Sequence, residues 1–347
     1  MMVKVVQAWI GNYLRRMIMK KTLYVIIAFA SVLAVSCVKD NIADSDKSGL
    51  PTSFTVSMPS LDNGVETKTG LIKDVYEKYN KLVWTSGNTI YVTTEEELRD
   101  NGSSFDYARY STTGSGSTAT FIYQSETGSI TEGTNYVAIY TQDEDHGPRG
   151  TGSNGYYRAY IPTEQHYVAN GIDNGVMPMQ AYGNLEELNF NCLGNIIRLN
   201  LKNTGGSTIR ISRIDLNSAG DGLRDAISGN FALRVAEGYP GKAPRYQYGL
   251  YKTSAGQSRK YINYYIDTPV TLGPTATAFN IVFSRYHGHT DDDFDNSMNI
   301  TATIYYTVNG GSVQTKDLPL TGLNLDRIKE LGKIYTFKEK DTSSWPS

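Results

Sequence analysis

Apolar and polar residues alternate with a period of two along most of the chain, in short runs separated by glycine, serine, asparagine and proline. The first run is TSFTVSMP, where Phe54, Val56 and Met58 recur at every second position until Pro59 stops the pattern. Alternate residues of a strand share one face, so these three predict the inward side of a β-strand. Leu82-Val83-Trp84 follows, then the turn Ser86-Gly87-Asn88, then Ile90 and Val92 in TIYVTT. ARY at 108–110, TATFIY at 118–123 and NYVAIY at 135–140 continue the series, with STTGSGS at 111–117 as a turn. Residues 141–185 break the rhythm and read as a long irregular stretch that includes Asp143-Glu144-Asp145 and IPTEQHY at 161–167.

The alternation resumes with LNF at 188–190, IIRLNL at 196–201, IRISRIDL at 209–216 and NFAL at 230–233. YINYYI at 261–266, FNIVFSRY at 279–286, NITATIYYTV at 299–308 and KIYTFK at 333–338 complete it. Helical periodicity is confined to LNLDRIKEL at 323–331, enough for one or two turns before Gly332. Evenly spaced short strands with almost no helix predict an all-β chain of sandwich type. Restart of the pattern near 186 predicts an N-terminal β-sandwich over 52–185 and a C-terminal one over 186–340, with a polar tail at 341–347.

The N-terminus has a different pattern. From Met19 it reads MKKTLYVIIAFASVLAVSC. Lys20 and Lys21 precede an apolar stretch from Leu23 to Leu33 that is short for a permanent span, and Ala34-Val35-Ser36 places small residues before Cys37. This predicts a signal peptide over 1–36, with residues 1–18 as an upstream extension. Cleavage is expected between Ser36 and Cys37, and Cys37 is the acceptor for the thioether-linked lipid of a bacterial lipoprotein. An ordinary secretory cleavage, for which Cys37 is incidental, is the alternative. Residues 37–51 are polar and patternless and read as a tether.

Composition narrows the function classes. Net charge is −2, with 33 Lys+Arg against 35 Asp+Glu interspersed, so no basic stripe exists to neutralise a phosphate backbone and no nucleic-acid partner is expected. The 26 tyrosines and 33 glycines suit twisted strands joined by tight turns. Cys192 is the only cysteine besides Cys37. With Cys37 lipidated no intrachain disulfide can form, and Cys192, among Phe190, Leu193 and Ile196, reads as a small buried hydrophobe.

Chemistry-bearing patterns are sparse. His287-Gly288-His289 followed by Asp291, Asp292, Asp293 and Asp295 resembles a metal cluster most, yet it lacks the central glycine and terminal glutamate of a calcium loop. A solvated acidic turn is the better reading, and the same holds for Asp143-Glu144-Asp145-His146. No G-x-S-x-G elbow or H-E-x-x-H helix is present. The expectation is therefore a non-enzymatic chain with no metal and no cofactor. Trp84 reads as core rather than as a sugar platform, and Tyr156 and Tyr157 are the candidates for ligand contact.

The succession of the lipoprotein signal ending at Cys37, SFTVSMP with ETKTGL, KLVWTSGNTIYV, YIPTEQHYVANG with VMPMQAYGN, LNFNCLGNIIRLNLKN, the ISRIDL–ISGNFAL pair and LGKIYTF spans roughly residues 37 to 338. In that order these segments resemble the fimbrillin-like lipoproteins of Bacteroides and related bacteria, which build type V pili. The resemblance implies two tandem transthyretin-like β-sandwich domains and a surface-exposed, lipid-anchored protein of the cell outer membrane, or of a fimbrium once processed. It implies partnership with other pilus subunits by strand exchange, with Phe54, Val56 and Met58 on the exchangeable first strand. Relatives are processed at an arginine. Here the first arginine after Cys37 is Arg99, and Lys68 stands where relatives often carry one, so Lys68 is the candidate processing residue. A lipid-retaining anchor or a tip subunit is the variant this favours. The alternative is a stand-alone surface lipoprotein that binds a glycan or host protein through its loops.

Overall fold

The computed structural model describes residues 50–59, 82–100, 105–128, 130, 133, 135–141, 156–186, 188–219, 226–234, 258–284, 299–321 and 332–346. Ser36, Cys37, Lys68, the acidic histidine loop at 287–295, His146 and the expected helix at 323–331 lie outside the described residues.

Regular structure among the described residues is almost all strand. The first half contains β1 (Ser53–Ser57), β2 (Thr89–Thr94), a helix α1 (Glu95–Asp100), β3 (Ala108–Ser111), β4 (Thr118–Glu126) and β5 (Tyr136–Tyr140). Next come β6 (Tyr156–Ile161), β7 (Glu164–His166), β8 (Met179–Gly183) and β9 (Phe190–Cys192). The second half holds β10 (Asn195–Lys202), β11 (Ile209–Ala219), β12 (Ser228–Arg234), β13 (Ser258–Arg259) and β14 (Tyr261–Thr271). It ends with β15 (Thr277–Phe283), β16 (Asn299–Val308), β17 (Gln314–Leu320), β18 (Ile334–Thr336) and β19 (Lys340–Asp341).

Four sheets result. A seven-stranded sheet runs β1-β4-β3-β2-β5-β8-β9, and a five-stranded sheet runs β17-β16-β11-β14-β7. A third sheet runs β15-β10-β18 with β19 also on β10, and a small one runs β13-β12-β6. The period-two pattern explains the faces. In β16, Ile300, Ala302, Ile304, Tyr306 and Val308 all point inward. In β11 the inward set shifts phase from Ile209 and Ile211 to Ile214 and Leu216, because a bulge between Ile211 and Arg213 inserts one residue against β16, and the register to β14 also shifts there.

Buried side chains gather into two hydrophobic cores. The first is aromatic: Trp84 is fully buried and meets Phe121, Tyr140 and Phe190 edge-on at centroid distances of 4.9, 5.4 and 5.5 Å. This puts Trp84 in the core, as its setting in LVWTSG predicts. The second core is aliphatic in its strands, with Ile211, Ile214, Leu216, Ile262 and Ile304 around Tyr264 and Tyr306. The third sheet serves both. Ile196, Val282 and Ile334 face the first core, while their neighbours Ile197, Ile281 and Tyr335 face the second.

Two stretches differ from the reading of the sequence. Residues 141–185 are not uniformly irregular, since β6, β7 and β8 lie within them. β6 pairs with β12 and β7 runs parallel to β14, partners roughly 70 to 100 residues away, so no local pattern announces them. The seven-stranded sheet also continues past residue 186 to β9. Second, the polar C-terminal tail is docked on its own chain. β19 pairs with Leu201 and Lys202, Thr342 is fully buried and donates to Lys202 O, and the Trp345 ring sits 4.8 Å from Tyr306. Tyr306 also donates its hydroxyl to Pro346 O at 3.3 Å. A polar composition misleads here because one tryptophan and backbone pairing fix the segment.

Candidate functional site

β1 lies at one end of the seven-stranded sheet and pairs antiparallel with β4 in the register Ser53↔Ile122 to Ser57↔Thr118. Its pattern of exposure alternates strictly: Phe54 is 8% exposed and Val56 1%, while Ser53, Thr55 and Ser57 face out. Pro59 lacks a donor, and the strand ends at Ser57. Met58 lies just beyond that end, half-buried against the first core, and still donates its N–H to Ser117 O at 2.7 Å. Of the three residues expected to face inward, two are strand residues and the third is a flanking contact.

The seat beneath β1 is built by other strands. Phe54 meets Tyr110 of β3 edge-on at 4.7 Å, and Tyr110 in turn donates its hydroxyl to Pro51 O at 2.9 Å. Burial pushes the Tyr110 phenol well above its ordinary value, with Tyr123, Tyr136 and Glu126 adding to the effect, so it remains a donor at any physiological pH. Outside, hydroxyl pairs line the ladder: Thr55 with Thr120 at 3.0 Å and Ser57 with Thr118 at 3.1 Å. Burying a phenylalanine or valine side chain contributes about 1.5–3 kcal/mol each. β1 therefore has two substantial inward contacts and a polar outer row.

Among the described residues, the other edge of β1 has one bridge. One parallel bridge, Ser57 to Asn189 just before β9, brings the two ends of the seven-stranded sheet together. A strand with one full ladder and one bridge can be withdrawn without breaking a sheet in its middle.

The residues the sequence does not single out are polar hubs. Glu95, buried at the start of α1, pairs with Arg99, accepts from Asn135 Nδ2 at 3.2 Å and from Tyr182 Oη at 2.6 Å. Burial and the Glu95 carboxylate raise the Tyr182 phenol. Glu95 thus ties α1 to β8 through the Tyr182 hydroxyl. Arg99, the first arginine after Cys37, is thus held in an ion pair on a helix. Cys192 is buried and its thiol is pushed up to about 12 by desolvation, which leaves it protonated and inert near neutral pH. Tyr156 and Tyr157 belong to β6, where their backbones pair with Arg234 and Leu233. No cluster of three or more potential metal ligands exists among the described residues. Among them, too, no helix is long and apolar enough to cross a membrane.

No family model and no curated protein matches the chain. Among solved structures, it is similar to a candidate cell adhesion protein from Bacteroides ovatus, with 15% identity over 74% of this chain and 84% of that one, at a TM-score of 0.36. A candidate cell adhesion protein from Bacteroides fragilis shares 12% identity over 84% of this chain and 92% of that one, with a TM-score of 0.36. A candidate adhesin from Bacteroides ovatus shares 9% identity over 89% and 98%, with a TM-score of 0.32. At such identities and scores these likenesses carry no inference about partner or activity, which rest on the chain's own geometry.

Proposed function

We propose that this chain is an exported, lipid-anchored surface protein of the outer membrane that serves as a component of an adhesive fibre, with β1 as a strand exchangeable for one from a neighbouring copy. The observation that carries this reading is the placement of β1: a five-residue terminal strand with Phe54 and Val56 as its inward contacts and, among the described residues, a single bridge at its outer edge. Strand addition from another chain would restore the ladder to β4 and refill two side-chain sites. Lys68 is the proposed processing residue, and Cys37 the lipid acceptor. Neither catalysis nor a cofactor has a part in this role.

The test is a chain lacking residues 50–58. Loss of the strand is expected to yield concentration-dependent oligomers, reversed by adding a peptide of sequence TSFTVSMP. A truncated chain that stays monomeric and fully folded, as read by light scattering and circular dichroism, would refute exchange.

A second reading is a stand-alone surface protein that binds a glycan or host protein through its loops. The docked C-terminus favours it, because Lys340–Asp341, Thr342 and Trp345 are engaged on their own chain and not free to be donated. Saturable binding of the intact monomer on a glycan array, with no oligomer in the truncation experiment, selects this reading.

A further inference from the structure

A cavity of ≈ 390 Å³ opens where the strand ends of the first core meet the third sheet. Its wall is mostly hydrocarbon and thioether, including Met58, Leu82, Tyr140, Met177, Met179 and Ile196. Two of the five large apolar side chains that are exposed among the described residues, Val83 at 51% and Val168 at 40%, sit on its lining. Exposed apolar residues scattered singly need no explanation, but two at the mouth of one apolar cavity do.

One side of the cavity is polar, and it is rigidly held. The segment 168–177 forms this wall, with Asn170 at φ 58° and Gly175 at φ 81° allowing it to fold back. Asn280 Nδ2 donates to Gly171 O at 2.9 Å, and the His166 N–H donates to Asp173 Oδ2 at 3.0 Å. Asn174 Oδ1 accepts from Thr85 Oγ1 at 3.1 Å, Asn88 Nδ2 at 3.1 Å and Tyr140 Oη at 3.3 Å. The site is thus pre-formed and does not depend on closure.

Size and charge limit what fits. A dry, apolar cavity of about 150 Å³ accepts benzene, so this one takes a considerably longer hydrocarbon. Drug-sized ligand sites begin at about 300 Å³ and combine an apolar lining with a few convergent polar groups. Water alone is a poor occupant, because a buried water needs two to four polar partners and most of this wall offers none. Among the described residues the lining carries one carboxylate, Asp173, and one guanidinium, Arg198, so its formal charge sums to zero and favours a head group without net charge.

We propose that this cavity is a binding site for a neutral amphiphile: a hydrocarbon chain of medium length against the methionines and aliphatic residues, with a hydroxyl or amide head at the 168–177 wall. The site shares Met58 with the exchangeable segment, so it is complete only while residues 50–58 stay in place.

The test uses 1-decanol as probe, with decanoate and decyltrimethylammonium as charged counterparts. In the full chain carrying 13C-methyl methionine, decanol is expected to shift Met58, Met177 and Met179 in a saturable 1:1 titration, leaving the other five of the eight methionines unmoved. The charged probes are expected to bind at least tenfold more weakly. Val83→Asp and Val168→Asp, both at exposed positions, are expected to weaken decanol tenfold or more, whereas Val313→Asp, exposed and outside the lining, leaves it unchanged. Unsaturable or distributed methionine shifts overturn the site, as does unchanged affinity in the two valine variants. Equal binding of decanoate overturns the neutral head group. Because the methionine shifts are read in the unmodified chain, the proposal remains testable even if a variant misfolds.

Discussion

The two cores are built on different principles. Around the second, β11, β14 and β16 run 10 or 11 residues each, and β11 pairs continuously with both neighbours apart from one bulge. Around the first, the strands are 3 to 9 residues long and the centre is held by edge-on contacts to one tryptophan. Long ladders distribute stability along the backbone, so no terminal segment can leave without unzipping its neighbours. A stacked aromatic centre surrounded by short strands keeps its packing when one outer strand departs. The exchange proposed for β1 therefore falls on the core whose packing depends least on long ladders. The third sheet nevertheless couples them, since β10, β15 and β18 present opposite faces to each.

That comparison can be broken most forcefully at Trp84. Trp84→Ala is expected to cost about 3–5 kcal/mol. Because the third sheet is shared, denaturant unfolding should remain one transition with a lower midpoint, and two separated transitions would show that the cores are independent. Ile304→Ala, in the middle of β16, is expected to cost about 2–5 kcal/mol and to move the same transition. Hydrogen exchange sharpens the contrast: the amides of β1 should exchange well before those of β11 and β16, and equal protection would argue against a removable first strand.

Smaller effects lie at the C-terminal tail. Asp341 accepts from the Thr204 and Ser343 backbone N–H groups at 3.2 and 3.0 Å and from the Thr204 hydroxyl, which holds its carboxyl well below the usual carboxylate range. A depressed folded value means the contribution is fully present above the unfolded value of about 3.9 and is lost as pH falls below it toward the folded one. Trp345 emission should therefore change on acidification below about pH 4, and Asp341→Asn should abolish that dependence. The smallest expected effect is kinetic. Cys192 should resist a thiol reagent at pH 8 in a Cys37→Ser chain and react only on unfolding, and rapid labelling of the native form would contradict its burial.

Most strands are legible because inward residues alternate, as in NITATIYYTV and SFTVS, and because turns such as Ser86-Gly87-Asn88 carry their own chemistry: Gly87 has φ 90° and Asn88 Oδ1 accepts the Thr85 N–H at 2.7 Å. Helix α1 is signalled by Thr94 and Glu97 at capping spacing, and Thr94 Oγ1 does accept the Glu97 N–H at 3.2 Å, but a polar EEELRD segment has no apolar period to attract notice. β7 is hidden for another reason. Its buried Gln165 uses its side-chain amide to bond Val282 N–H and O at 2.9 and 2.7 Å, imitating a ladder, and nothing local predicts that. Phe54 and Val56 are readable as inward residues, whereas the bridge to Asn189 depends on the curl of a whole sheet. The cavity wall draws on segments from Met58 to Ile334 and has no linear signature.

The antiparallel pairing of β1 also has a mechanical side. Tension entering from the chain before Leu50 meets the fold first at this strand. The hydrogen bonds to β4, from Thr52 O with the Tyr123 N–H to the Met58 N–H with Ser117 O, run across the strand axis. A pull along that axis shears all of them together, whereas a pull at right angles peels them one at a time. For a tethered molecule in flowing liquid, the direction of drag would then decide whether the first strand holds or yields.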